Sequence, residues 1–318
     1  MRILVTGASG FIGGALLQRL AAVAGVQAMG VARRPLALPH YVQADLARPF
    51  ELPFRPDVVV HAAGRAAPWG SPAQYQQQNV ETTRQVIAFC RRAGLPRLLH
   101  LSSTAVFYRE AHQHGLHEDS PIGPRFLNDY ARSKAAAEAL VAGYEGPSCI
   151  LRPHAVFGPG DTVLMPRLAE AARRGGLPVL VGRGGPVQVD LIHIDTLVEY
   201  LLRAARAPQL APAYNLTNAQ PMDLQALLQR LLSGLGLPLP RRRVSTALAL
   251  RAAGALELGW RALGLRGEPP VTRFGVAAFA FSRTFDPRRM LADLGPPQQD
   301  LEAGVDRFIH WQRAQWTT

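Results

Sequence analysis

A tyrosine and a lysine four residues apart, Tyr130 and Lys134, carry the first chemical signal in this chain of 318 residues. On a helix, positions i and i+4 share one face. A phenol titrates near ~10 and is a poor acid at neutral pH. A cation beside it favours the phenolate and lowers that value. The pair therefore reads as a proton donor and acceptor able to work near neutral pH. Composition sharpens the point. Of 35 Lys plus Arg, Lys134 is the single lysine, and the planar fork of arginine is a poor stand-in for a compact ammonium. A hydroxyl, Ser103, follows a predicted strand over 97–102. Polar residues often end strands, so Ser103 gains meaning from its conjunction with Tyr130: the two can meet on one substrate oxygen.

Other elements must position these groups. Residues 2–6 read as a buried parallel strand. Glycines at 7, 10 and 13 follow it, within Thr6-Gly7-Ala8-Ser9-Gly10-Phe11-Ile12-Gly13, and an apolar helix runs from Phe11 to about Leu20. Gly7 suits a tight turn, Gly10 a close backbone approach to a pyrophosphate, and Gly13 close packing of helix on sheet. The helix N-terminus offers N–H groups and a positive dipole end to an anion. A second strand, 26–31, ends in Ala32-Arg33-Arg34. An acidic residue there would select NAD through the ribose 2′-OH. Two guanidiniums suit a 2′-phosphate instead, so NADP(H) is the expected cofactor and NAD(H) the alternative. Residues 41–44 form a short third strand ahead of Asp45-Leu46. A fourth strand, 57–61, leads into His61-Ala62-Ala63-Gly64, small enough to pass beside a cofactor, with His61 read as packed rather than catalytic. A helix over 75–93 contains Asn79. Residues 108–127 form a polar loop whose histidines (112, 114, 117) lack metal-site spacing; a lid and plain surface are equal readings. Asn128 or Asp129 caps the helix carrying Tyr130, and a sixth strand over 148–151 precedes Arg152-Pro153.

Beyond residue 160 the strand–helix alternation weakens. Helices are expected over 163–174, 195–205, 222–232 and 300–311, and strands over 187–194 and 213–216. The stretch 246–263 is apolar but broken by Arg251, Glu257 and Arg261. It reads as the cap of a greasy pocket, a lobe helix, or a helix lying on a membrane surface.

The net charge is +12, a balance that attracts phosphates, anionic lipid or nucleic acid. The arginines are scattered rather than gathered in a tail, so nucleic acid is not an expected partner. Cys90 and Cys149 sit in apolar contexts and suggest neither disulfide nor metal. A first strand beginning at residue 2 predicts no signal peptide, and no apolar run is long enough to span a bilayer. The expected location is cytoplasmic, with peripheral membrane contact through 246–263 and a homodimer left open.

The assembled set resembles the extended short-chain dehydrogenase/reductase (NAD-dependent epimerase/dehydratase) superfamily over nearly the whole chain. The residues that carry the resemblance are Thr6-Gly7-x-x-Gly10-x-x-Gly13, His61-Ala62-Ala63, Asn79, Ser103, Tyr130-x-x-x-Lys134 and Arg152-Pro153. Ala67-Pro68-Trp69-Gly70, the stretch 164–170 and Gly267-Glu268-Pro269-Pro270-Val271-Thr272-Arg273-Phe274 are similar to the 3β-hydroxysteroid dehydrogenase branch, which includes bacterial 2-alkyl-3-oxoalkanoate reductases. The chain departs from the superfamily at Phe107-Tyr108, where Tyr-Gly is commoner, and at Arg33-Arg34.

The resemblance implies a Rossmann-type doubly wound parallel α/β sheet with a smaller, mostly helical C-terminal substrate lobe. Residues 1–160 would form the NADP-binding domain, with 187–216 returning to it, and 161–318 mainly the lobe. Implied cofactor contacts are Gly7, Ser9, Gly10, Phe11, Ile12, Arg33, Arg34, Asp45, Leu46, Ala62, Ala63, Gly64, Ser102, Tyr130, Lys134, Pro153 and Val156, with Asp45 and Leu46 at the adenine edge and Lys134 on the nicotinamide ribose. Implied catalysis is ketone–alcohol interconversion by Ser103, Tyr130 and Lys134 on a bulky apolar small molecule. A nucleotide-sugar epimerase or dehydratase is the alternative, with Arg167, Arg173 and Arg183 available to its phosphates. A cofactor-sensing regulator without catalysis is a further one, disfavoured because Tyr and Lys are both kept.

Overall fold

The computed structural model describes residues 1–182 and 184–317; Arg183 and Thr318 lie outside the described residues. Seven strands form the central sheet: β1 (Arg2–Thr6), β2 (Gln27–Ala32), β3 (Tyr41–Gln43), β4 (Val58–His61), β5 (Arg97–Leu101), β6 (Ser148–Pro153) and β7 (Ala213–Leu216). Their order is β7-β6-β5-β4-β1-β2-β3, and every pair is parallel. The short apolar strands, such as the buried Val-Val-Val-His of β4, fit a sheet covered on both faces. The order reverses between β1 and β4, and ligands of such sheets bind outside the carboxyl ends at that point.

One face is covered by α1 (Phe11–Ala21) and α4 (Ile194–Arg206), whose Leu16, Leu20, Leu197 and Leu201 pack on Ile3, Val5, Leu99 and Leu151. The other face is covered by α2 (Thr82–Arg92) and α3 (Asp129–Ala142). A second core around Phe157, Leu168, Leu231, Val305 and Phe308 holds the C-terminal part. Two further helices, α5 (Thr246–Ala262) and α6 (Arg273–Ala280), pack together through Ala253, Val276 and Ala280.

Three segments differ from the sequence reading. The helix expected over 75–93 begins at Pro72, capped by Ser71, and passes through a π-helical stretch, Gln76–Glu81, before α2. The strand expected over 187–194 is two strands in different sheets, Gln188–Val189 and Ile192–His193. Between them the Asp190 carboxylate accepts the Phe285 N–H at 2.9 Å, which stitches that corner to a strand far along the chain. The loop over 108–127 holds a strand, Gln113–Leu116, paired with Arg283–Phe285, a partner whose distance in sequence hid the pairing.

The glycine turn shows why its residues are what they are. Gly7 has φ +69°, and a Cβ on it would stand 2.7 Å from the Ala62 oxygen. A Cβ at Gly13 would stand 2.3 Å from the Gly7 oxygen. Gly13→Ala is therefore expected to lower stability by about 1–3 kcal/mol through overpacking. Urea unfolding checks this, and an unchanged midpoint would mean that α1 can back away from the turn.

Candidate active site

Tyr130 and Lys134 lie on the first two turns of α3. Asn128 caps the helix, its Oδ1 accepting the Ala131 N–H at 2.9 Å, while its Nδ2 donates to the Pro68 oxygen at 3.0 Å. One side chain thus starts the helix and holds the 65–70 loop beside it. Ser103 follows β5 and opens a 3-10 turn, Thr104–Phe107, its Oγ accepting the Ala105 N–H at 3.2 Å. Its hydroxyl also stands near enough to the Tyr130 phenol to favour the phenolate. The predicted pair, phenol and hydroxyl, therefore meet at the carboxyl end of β5.

Lys134 is 7% exposed and its Nζ donates to the Leu101 oxygen at 2.8 Å. Burial lowers its pKa to about 8, opposed by the Glu138 carboxylate. Burial pushes the Tyr130 phenol up to about 12, opposed by the Ser103 bond. The expected lowering of Tyr130 by Lys134 is thus not what this structure has: the ammonium is turned to the strand carbonyl, and Ser103 is the neighbour that favours the phenolate.

Glu138, two turns past Tyr130, was not singled out by the sequence reading. It forms a buried ion pair with Arg152, at 2.9 Å from Nε and 2.8 Å from Nη2, with the two side chains 6% and 7% exposed. Arg152 also donates to the Glu118 oxygen at 3.0 Å. The Ser102 hydroxyl donates to Glu138. The Ser102 side chain is thus held by the pair. The i, i+4, i+8 spacing of Tyr130, Lys134 and Glu138 was the available signal.

Asn79 sits in the π-helical stretch, a feature common at functional sites. Its Oδ1 accepts the Arg65 N–H at 2.6 Å and its Nδ2 donates to Ser133 Oγ at 2.8 Å. It joins the loop after β4 to α3. Thr83 Oγ1 donates to the Asn79 oxygen at 2.7 Å and so accepts from His61 Nε2 at 3.0 Å. His61 Nδ1 then accepts from Thr6 Oγ1 at 2.8 Å, and Thr6 Oγ1 accepts the Ala63 N–H at 3.2 Å. Burial, with Lys134 nearby, lowers the His61 pKa to about 3, so this chain of bonds keeps its direction. As expected, His61 is a packed residue.

The residues fit a dinucleotide. The first turn of α1 has no side-chain cap on Gly10, which leaves the outward N–H groups near Phe11 and Ile12 for an anion. Ala62 and Ala63 line the wall against Gly7, and a Cβ at Gly64 would fall 2.9 Å from Asn79 Oδ1 and 3.5 Å from Lys134 Nζ. Arg34 donates to the Ser9 oxygen, so its guanidinium lies against the glycine turn; Arg33 is exposed beside it. Asp45 caps its own turn, accepting the Ala47 N–H at 3.2 Å. The Leu46 side chain is 3% exposed and packed with Leu4, Val31 and Phe50, so only its backbone can serve an adenine. Pro153 is buried at the end of β6, and Val156 packs on the core that includes α1.

The other wall is apolar. Tyr108, Phe126, Leu127, Ala131 and Phe274 cluster with Tyr130. Tyr108 stacks on Phe274 at 5.5 Å on one side and lies under the buried Arg283 guanidinium at 4.1 Å. Burial, with Arg283 nearby, lowers the His154 pKa to about 3; its Nδ1 contacts Thr104 Oγ1 at 2.8 Å and the Tyr108 hydroxyl at 3.1 Å.

Residues 3–218 match the NAD dependent epimerase/dehydratase family. The chain is 36% identical to a 2-alkyl-3-oxoalkanoate reductase of Stenotrophomonas maltophilia, over 97% of this chain and 98% of that protein. It is 31% identical to the 3beta-hydroxysteroid-dehydrogenase/decarboxylase isoform 1 of Arabidopsis thaliana, over 85% of this chain and 67% of that one. A UDP-glucuronic acid 4-epimerase from Bacillus cereus, solved with NAD, superimposes with TM-score 0.74 over 99% of this chain and 100% of that one. At 18% identity, that likeness shows the fold alone.

Removing one partner of a buried ion pair leaves an uncompensated charge and costs about 3–5 kcal/mol. Glu138→Ala is expected to lose that much stability, and Glu138→Leu combined with Arg152→Met to recover most of it. Denaturant melts of the single and double variants check the coupling; a single variant within about 1 kcal/mol of wild type would contradict it.

Proposed function

The chain belongs to the NAD dependent epimerase/dehydratase family, and within it we propose a nicotinamide-dependent oxidoreductase that interconverts a ketone and a secondary alcohol. The proposed substrate is bulky and largely apolar, of the 3-oxoacyl or steroid-like kind. One observation carries this reading: Tyr130, with Ser103 beside its phenol and buried Lys134 one turn on, packs in an apolar cluster with Tyr108, Phe126, Leu127 and Phe274. The names of the two relatives, a 3-oxoalkanoate reductase and a 3β-hydroxysteroid dehydrogenase, support it.

In the reducing direction Tyr130 gives its proton to the substrate oxygen as negative charge develops there. Ser103 donates a hydrogen bond to the same oxygen and fixes it. Lys134, its ammonium on the Leu101 oxygen, holds positive charge behind the pair. A bound nicotinamide would supply the hydride for the carbonyl carbon. Gly64, Asn79 and the His61 chain would form the floor under that cofactor, and the apolar wall would keep water from the reacting oxygen.

NADP(H) is the proposed cofactor over NAD(H). Arg34 against the glycine turn, Arg33 beside it, and a β2 end without a carboxylate support this choice. A dehydratase reading draws less support, because the positions after Ser103 are Thr104, committed to His154, and buried Ala105.

Two measurements test the reading. Cofactor titration should favour NADPH, and replacing both arginines by alanine should remove about 1.5–3 kcal/mol of that preference, roughly one to two powers of ten in affinity; equal affinities in the wild type would refute it. In a chain-length series of 3-oxo acids or esters, each buried methylene adds about 0.8 kcal/mol, so kcat/KM should climb with length. A flat series, with turnover of a nucleotide sugar instead, would favour an epimerase.

The pH profile follows from Lys134. Its pKa lies at about 8, below the ordinary lysine value, so the ammonium is present below that pH and is lost as pH rises through it. Tyr130, at about 12, stays protonated throughout. For ketone reduction, kcat/KM reports the free enzyme and should be flat in weak acid and fall above about 8. A profile still flat two units higher would take Lys134 out of the reaction.

A further inference from the structure

Among the described residues, five of the exposed large hydrophobic side chains gather on α5 and the turn after it. The inner face of α5 packs on α6 through Ala249, Leu250 and Ala253. The outer face and the turn after it carry Leu248, Leu256, Leu258, Leu263 and Leu265, which are 63%, 37%, 71%, 74% and 45% exposed. The remaining exposed residues of the helix are alanines and two arginines, Arg251 and Arg261. Its one acid, Glu257, is turned to the inner side, where it accepts the Arg273 N–H at 2.8 Å.

Single exposed leucines are ordinary, but five of them on one helix and the turn after it mark an interaction surface. Charge decides what it meets. Arg241, Arg242 and Arg243 ahead of the helix, Arg251 and Arg261 on it, and Arg266 after it are all exposed. Glu268, the acid that follows, pairs with Arg167 at 2.8 Å. A second copy of this chain would bring the same cationic rim against itself, which like-charge repulsion disfavours. An anionic lipid surface complements both features: leucines for the acyl boundary and arginines for the headgroups. Among the described residues no helix is long and apolar enough to cross a membrane, so the helix would lie in the interface rather than span it.

The place of the helix gives the contact a use. Arg261 lies over the Trp69 ring at 5.2 Å and reaches Asp129 Oδ2 at 3.2 Å. Asp129 is the neighbour of Tyr130, and α6 beneath the helix supplies Phe274 to the apolar wall. We propose that the outer face of α5 docks the protein on an anionic bilayer surface, beside Trp69 and the start of α3. Substrate dissolved in lipid would then reach Tyr130 without passing through bulk water. That last step rests on the apolar-substrate reading; the docking itself does not.

The test is flotation of the full chain with vesicles of equal parts phosphatidylglycerol and phosphatidylcholine, and with phosphatidylcholine alone. Light scattering after gel filtration gives the oligomeric state without lipid. Wild type is expected to float with the anionic vesicles and not with the neutral ones. The double variant Leu258→Glu with Leu263→Glu should melt like wild type and partition at least roughly tenfold less. Wild type that stays below the anionic vesicles, or a variant that floats equally well, overturns the proposal. So does a wild-type dimer that the variant converts to monomer, because the face then belongs to a second copy. Reduction of a short, water-soluble 3-oxo ester without vesicles is run on both proteins. Failure of both there counts against the reductase reading and leaves the flotation result standing.

Discussion

The face of α3 that carries Tyr130, Lys134 and Glu138 is pressed against the carboxyl edge of the sheet, and a buried polar face is stable only when each group on it has a partner. Each does. The phenol meets Ser103, the ammonium meets the Leu101 oxygen, and the carboxylate meets Arg152 and Ser102. The partners come from the ends of β5 and β6, so the helix can sit in one register only. A shift by one residue would bury a cation or an acid unpaired. The ion pair of Glu138 and Arg152 is best understood in these terms: its desolvation cost leaves little net stabilisation, but losing one member is expensive.

The same constraint extends to the cofactor side. Asn79 and Ser133 tie α3 to the loop after β4, and the Thr83–His61–Thr6 chain ties that loop to the glycine turn after β1. The glycine turn and the start of α3 are thus joined through buried side chains. Catalysis of this kind depends on holding donor and acceptor to within fractions of an ångström, and a rigid floor under both ends meets that need.

What could be read from the sequence was local. The glycine turn follows directly from its strand and helix, and Tyr130 and Lys134 are linked by helix geometry alone. The strand boundaries of the sheet were legible within a residue or two because buried parallel strands are short apolar runs. What escaped was long-range. The Glu138–Arg152 pair joins a helix to a strand fourteen residues on, and nothing in either residue's neighbours announces it. The break at Asp190 depends on a strand near residue 285. The direction of the Lys134 side chain depends on the Leu101 carbonyl, which no spacing rule reveals.

The central claim is that Tyr130 is the proton donor of a ketone reductase and that its neighbours serve to place it. Turnover of a confirmed 3-oxo substrate by Tyr130→Phe tests this most directly, because the change removes one oxygen and leaves the ring and its packing. The account predicts a loss of at least about a hundredfold, the lower end of general acid–base contributions, with melting temperature and NADPH affinity close to wild type. Turnover within a few-fold of wild type would contradict it.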